Sequence, residues 1–238
     1  MNQELWNLTI LGMKGRKKIT ILIFTVLLLS FAFAVVTLSV TSSMERTNRE
    51  YRFDTYGEWY GAFSLAEEEA PDWLKQEESI SAVGCAETYA LLSGTDEKAY
   101  LGTVDEILQK TGRLALLEGH MPEQEDEIAL EADILSSLGY DYVIGQKIVI
   151  GEAYEGSTAD GETDCVEMEQ EYILSGVLKE YTNLWLSGQD ISLPGAVITK
   201  KAAEQVYEKA VKERADPGLT LNDPQKIYFF TTAPGMEQ

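Results

Sequence analysis

Between Ile19 and Val40 the chain runs for 22 residues without a charge, ITILIFTVLLLSFAFAVVTLSV. Seventeen are apolar, and the other five are Ser or Thr, whose hydroxyls can bond back to helix carbonyls. As a helix this stretch reaches about 33 Å at about 1.5 Å per residue, against a hydrocarbon core of about 30 Å. Only a helix satisfies the backbone of an isolated span in lipid. A cleavable signal peptide has a shorter apolar region, about 7–15 residues, and ends in an A-x-A-like site. Ser39-Val40-Thr41 is a poor substitute for that site. A soluble core rarely holds an apolar run this long. Residues 19–40 are therefore expected to form a transmembrane helix, with membrane lipid as their partner.

The flanks set the expected orientation. Residues 1–18 hold Lys14, Arg16, Lys17 and Lys18 against Glu4, a net of +3, whereas residues 41–238 carry 15 bases and 39 acids, a net of −24. The positive-inside rule puts the N-terminus in the cytoplasm and the acidic body outside the plasma (inner) membrane. The whole-chain charge of −21 argues against nucleic acid, since phosphate binding needs clustered Lys and Arg. Within residues 1–18, Leu5, Trp6, Leu8 and Leu11 precede the basic cluster. They suit a short helix in the inner headgroup layer, or equally a frayed terminus. In the span, Ser30, Ala34, Thr37 and Thr41 are spaced 4, 3 and 4 on one helical face. Such a stripe allows close approach of a second helix; the competing reading is chance.

Beyond the span, Glu45–Arg49 and Arg46–Glu50 are opposite charges at i,i+4, so residues 41–55 are expected to continue the helix as a stalk. Residues 56–238 then alternate strand and helix signals. Strands are expected at 58–65, 81–93, 99–104, 127–131, 146–151, 171–179, 196–199 and 226–232. Helices are expected at 71–78, 105–112, 132–138 and 200–214. This mixture is an α+β fold, one large domain or two lobes. Between Gly151 and Glu171 the stretch EAYEGSTADGETDCVEMEQ holds seven acids and no base, and reads as an exposed loop or long hairpin tip. Asp160, Glu162 and Asp164 alternate in it, but their spacing does not match an EF-hand.

Chemistry is sparse. There is no Walker A loop, no G-x-S-x-G and no G-x-G-x-x-G. The single histidine, His120, lies in the acidic turn EGHMPEQED and cannot build HExxH zinc chemistry. No catalytic, cofactor or metal residue is expected, and the chain does not read as an enzyme. Cys85 and Cys165 can pair in an oxidising compartment. Otherwise Cys85 is a small buried hydrophobe and Cys165 a free surface thiol.

The order of features, together with Leu117–Val149 (LEGHMPEQEDEIALEADILSSLGYDYVIGQKIV), resembles the permease subunit of ABC transporters of the MacB-like (FtsX-like) type. Gly119, Pro122, Glu127, Ile128, Leu138, Gly139 and Gly145 match that family's periplasmic-core pattern, and Gly176 in YILSGVLKEY matches the strand that follows. His120 departs from it, an Arg being usual there. The glycines read as scaffold, allowing tight turns and positive φ. The resemblance implies three further spans after the extracytoplasmic domain, a permease dimer and a separate or fused ABC ATPase. On it the sequence looks like the N-terminal part of such a permease, coupling ATP-driven motion to export or to engagement of a partner. The alternative is a single-pass, membrane-anchored binding or sensing module.

Overall fold

The structure, a computed structural model, describes residues 17–65, 77–185 and 191–232. The chain divides into two units, Met1–Tyr51 and Arg52–Gln238. The first consists, among the described residues, of most of helix α1 (Lys17–Tyr56). This 40-residue helix contains the expected span and runs unbroken through the expected stalk. Among the described residues it is the one helix long and apolar enough to cross a membrane. Its hydroxyls do bond back one turn, Thr25 Oγ1 to the Ile21 carbonyl and Thr37 Oγ1 to the Phe33 carbonyl, both at 2.9 Å. That removes the cost of carrying them among apolar neighbours.

The second unit is an α+β domain built on one sheet. Its strands among the described residues are β1 (Gly61–Leu65), β2 (Ile80–Ser93), β3 (Tyr100–Val104), β4 (Leu116–Gly119), β5 (Glu127–Glu131), β6 (Lys147–Ser157), β7 (Thr163–Leu178), β8 (Pro194–Val197), β9 (Thr220–Leu221) and β10 (Gln225–Thr232). The helices are α2 (Glu106–Thr111), α3 (Ala132–Ser137) and α4 (Lys200–Glu213). The strand order is β1-β10-β2-β3-β8-β5-β7-β6-β9, with β4 on β7. A further pairing of Leu91–Ser93 in β2 with Gly151–Ala153 in β6 joins distant members of that order. The pairings β2-β3-β8-β5-β7-β6 thus close on themselves as a six-strand circuit. Closure leaves no free edge within the circuit, and a free edge is a liability for a sheet.

Period-two alternation sends side chains to two hydrophobic groups. Ile128 and Leu130 of β5 join Leu101, Ile148, Ile150, Tyr172 and Leu174, whereas Ala129 between them joins Ala86, Val104, Tyr181, Trp185 and Phe229. Helix α4 covers the first group with Ala202, Ala203, Val206 and Ala210, residues on one helical face. Its start is capped by Thr199, whose hydroxyl accepts from the Ala202 N–H at 3.3 Å. The start of α2 is capped by Asp105, whose Oδ1 accepts from the Leu108 N–H at 2.7 Å. The other carboxylate oxygen, Oδ2, accepts from the Cys85 N–H at 2.9 Å, which ties this helix to β2.

The chain differs from the sequence reading at β4, at β9 and in the extent of the ladder through the acidic stretch. Strands β4 and β9 were not anticipated. The acidic stretch after Gly151 is mostly ladder: β6 and β7 pair from Lys147↔Ile173 out to Ser157↔Thr163, and only residues 158–162 form the turn. Val166 and Met168 point inward and Glu167, Glu169 and Glu171 outward, so its acids are the wet face of a strand. The helix expected at 71–78 falls at 71–76 outside the described residues, and Glu78 lies in a turn.

Candidate functional site

Three places combine fixed geometry with charge, and none contains a catalytic motif. The first is the seat of the last turn of α1. Residues from Arg52 onward belong to the second unit, so Phe53–Tyr56 are part of the body. Arg113, which follows α2, holds this turn. Its Nη1 lies 2.7 Å from Asp54 Oδ1, and its Nε donates to Glu58 Oε1 at 2.6 Å. The guanidinium carbon stands 5.3 Å from the centre of the Phe53 ring. A planar cation forked between two carboxylates and resting on an aromatic face uses the properties that separate Arg from Lys. The Glu58 N–H donates to the Thr111 carbonyl at 2.6 Å, fixing the same two segments through backbone. Arg113 takes φ of +50°, a left-handed conformation that costs a non-glycine residue energy, here set against these contacts. Trp59 follows, its ring 5.3 Å from Phe229 and 6.0 Å from Trp185 between centroids. No sequence motif pointed to Arg113; its partners are separated from it by more than fifty residues.

The other two places are single, fully buried carboxylates, Glu131 and Glu152, each with its own partners. Glu131, at the end of β5, is 0% exposed. Its Oε1 accepts from the Tyr181 and Thr182 N–H groups, and its Oε2 from the Thr182 hydroxyl at 2.6 Å. Burial outweighs these donors and pushes the carboxyl up to about 7. The side chain thereby pins the segment after β7 to the junction of β5 and α3. Glu152, in β6, is also 0% exposed. It accepts from the Tyr154 hydroxyl at 2.6 Å and the Tyr172 hydroxyl at 2.7 Å, and burial raises its carboxyl above the ordinary range. Such fully partnered buried polar groups rigidify a core.

The residues singled out in the sequence are distributed as follows. Ser30, Ala34, Thr37 and Thr41 lie on exposed α1. Gly119, Gly139 and Gly145 have φ of +79°, +79° and +86°. Leu138 caps α3, its N–H donating to the Ile134 carbonyl at 3.0 Å. Glu127 Oε2 accepts from the Glu123 and Gln124 N–H groups at 2.7 and 3.0 Å, closing the turn before β5 and lowering its pKa. Pro122 stands beside Met121 at the rim of a cavity. The structure brings Gly119 and Gly176 together as cross-strand partners. Gly176 has ordinary strand backbone, and its reason to be glycine is contact: a Cβ there would lie 2.4 Å from the His120 carbonyl oxygen. His120 is exposed, its Nδ1 2.8 Å from the Met121 carbonyl oxygen. Cys85 is half-buried and Cys165 exposed, both as free thiols. Among the described residues no group of three or more His, Cys, Asp or Glu could hold a metal ion.

No protein-family model matches the chain, and neither does any curated protein. Solved structures similar to the chain include the following two. One is a domain of a protein assigned as a permease from Porphyromonas gingivalis, at 9% identity and a TM-score of 0.38 over 77% of this chain. This chain spans 65% of that structure's length. The other is the extracellular domain of the noncanonic ABC-type transporter YknZ from Gram-positive bacteria. It matches at 11% identity and a TM-score of 0.37, over 73% of this chain and 83% of that one.

Proposed function

We propose that the chain is the anchored extracytoplasmic portion of an ABC transporter permease of the MacB-like type. The observation that carries this reading is the continuity of α1. One unbroken helix, Lys17–Tyr56, holds a bilayer-length apolar run and ends in a turn fastened into an α+β body by Arg113. The matched pattern supports it: Gly119 and Gly176 pair across β4 and β7 where neither tolerates a side chain, and Gly139 and Gly145 take positive φ around the helix-to-strand connection. The basic segment before the span favours a cytoplasmic N-terminus with the acidic body outside.

In this function the body does no bond chemistry. A separate ABC ATPase drives the permease, and the body engages exported substrate or a partner outside the membrane. A single span cannot line a path, so further helices and a second permease copy complete the transporter. The stripe Ser30, Ala34, Thr37 and Thr41 is the face offered to a neighbouring helix. Crosslinking the full-length gene product in native membranes, followed by affinity purification, tests the reading. An ABC ATPase recovered in stoichiometric amount is the expected result. Firm membrane anchoring with no ATPase attached argues instead for a single-pass binding module.

A further inference from the structure

All three donors to Glu131 come from two adjacent residues, Tyr181 and Thr182. These open a short turn that ends at Trp185, whose ring meets that of Tyr181 edge-on at 4.9 Å between centroids. The Tyr181 hydroxyl donates to the Pro194 carbonyl. Trp185 lies against Gly112, where a Cβ would stand 2.3 Å from its ring. Arg113, the next residue, holds the last turn of α1. Contacts therefore run without a break from the Glu131 carboxyl, through Tyr181 and Trp185, to the Gly112–Arg113 corner. Space for the carboxyl is built in, since a Cβ on Gly195 of β8 would stand 2.7 Å from Glu131 Oε2.

The donor set suits a neutral acid as well as a carboxylate. Oε1 takes both N–H groups in either state, and the Thr182 hydroxyl can donate to Oε2 or accept its proton. What separates the two states is charge. Glu131 is 0% exposed, and among the described residues no Lys, Arg or His pairs with it. Asp133 on α3 repels it, and Tyr181 stays neutral, its hydroxyl raised well above the ordinary range by burial and by Glu131. Lys179 and Glu180 point to solvent, β7 opposes Glu131 with Leu178, and β8 presents Gly195. A carboxylate buried without a countercharge costs free energy, and the cost disappears if the turn lifts and admits water.

An independent sign of a poised contact lies at the far end of the path. Trp59 Nε1 is buried with no hydrogen-bond partner among the described residues, and the Trp59 ring packs on Trp185 at 6.0 Å. Such donors are ordinarily paired, so closed packing of Trp185 here is held against an opposing tendency.

We infer that Glu131 is a proton-operated latch on the turn 181–185. With the proton bound, the turn stays closed and Trp185 backs the Gly112–Arg113 corner. With the proton lost, the turn opens to hydrate the carboxylate, and the last turn of α1 loosens with it. The carboxyl sits near 7 in the closed form and returns towards 4.5 once hydrated, so rising pH favours opening across that window. The latch does not rest on the transport reading, and its test involves no ATPase.

Hydrogen–deuterium exchange of the full chain in nanodiscs between pH 6 and pH 8 tests it, each rate being divided by that of an unstructured chain at the same pH. Protection at 181–185 and at 53–60 is expected to be lower than in β5 and β7, the mark of a local opening. It is expected to fall about tenfold over this range, as linkage gives for one group moved from 4.5 to about 7. Glu131→Gln, which imitates the protonated acid, is expected to abolish that fall at both segments. Thr182→Val removes one hydrogen bond that favours the carboxylate, so it is expected to move the midpoint to higher pH with the fold retained. Flat protection in the parent overturns the latch, as does an unmoved midpoint in Thr182→Val. A pH response confined to 181–185, or exchange there no faster than in β7, overturns it equally.

Discussion

Gly119 and Gly176 face each other across the β4–β7 pairing with no room for a side chain on either. A Cβ on Gly119 would sit 2.1 Å from the Ser175 carbonyl oxygen, and one on Gly176 2.4 Å from that of His120. The obstacle is backbone in both cases, so a rotamer change cannot relieve it. Gly176→Ala is therefore expected to destabilise the body by about 1–3 kcal/mol, the usual cost of forcing atoms into a packed site. Gly119→Ala adds the penalty of its φ of +79° and is expected to cost more. Urea unfolding of the full chain in detergent checks both, and a variant as stable as the parent at either position contradicts the contact argument.

Glu131 makes stability depend on pH. Its carboxyl titrates near 7 in the folded body against 4.5 as the reference for the unfolded chain, because burial disfavours the charged form. The folded state thus binds more protons than the unfolded state between those values. By linkage, this group's contribution is fully present below about pH 4.5 and is lost as pH rises through about 7. Full expression of the shift corresponds to about 3 kcal/mol at most. Glu131→Gln keeps an oxygen for the Tyr181 and Thr182 N–H groups and an amide beside the Thr182 hydroxyl. Relative to the parent, it is expected to gain stability progressively from pH 5 to pH 8. A parent-minus-variant difference that stays flat over this range refutes the assignment.

How much of this was legible in the sequence depends on the range of the forces involved. The span, β5 and α4 could be read because their signals are local: an unbroken apolar run, a short apolar strand, one apolar helical face. Beyond Gly151 the sequence reads as an exposed loop or a long hairpin tip; the fold has the hairpin, and the length of its ladder was hidden because composition spoke louder than period. Val166 and Met168 alternate with Glu167, Glu169 and Glu171, but the surrounding acids hid two inward residues. Strand β4 is exposed at all four residues and exists through its ladder to β7, so it has no apolar signature of its own. The same holds for the sites. The glycine pattern was visible, yet the reason for Gly176 is a carbonyl oxygen fifty-six positions earlier, on His120. Arg113 and Glu131 carry no local mark, since each acquires its role from partners that only the fold supplies.

Arg113 is expected to act locally. Its ion pairs with Asp54 and Glu58 are partly open to solvent, so their contribution to global stability is modest, on the order of 1 kcal/mol. Removal also abolishes the stacking on Phe53, and it frees the turn to fray. In hydrogen–deuterium exchange, Arg113→Ala is expected to accelerate exchange at Phe53–Tyr60 by about three- to tenfold, equivalent to about 1 kcal/mol, with little change in β5 or β7. Raising ionic strength should mimic part of the effect in the parent, because exposed pairs are screened. Uniform acceleration over the whole body would mean that Arg113 supports the fold rather than this turn.

The two cysteines allow the orientation to be measured on the unaltered chain. Cys165 is exposed in the outer half of β7, whereas Cys85 is half-buried in β2 and its thiol is pushed up to about 12, first by burial and then by Glu87 and Asp105. Since the thiolate is the reactive species, Cys85 is expected to be nearly inert at pH 7.5. Cys165 is also raised, by burial and by Glu167 and Asp164, so its labelling should be slower than that of a free thiol but still dominant. With the body outside, a charged, membrane-impermeant maleimide added to intact cells labels Cys165 once per chain, and Cys165→Ser abolishes the signal. With the body in the cytoplasm, labelling appears only after the membrane is permeabilised. That second pattern would reverse the orientation inferred from the basic segment before the span, and with it the assignment of the acidic face to the outside of the cell.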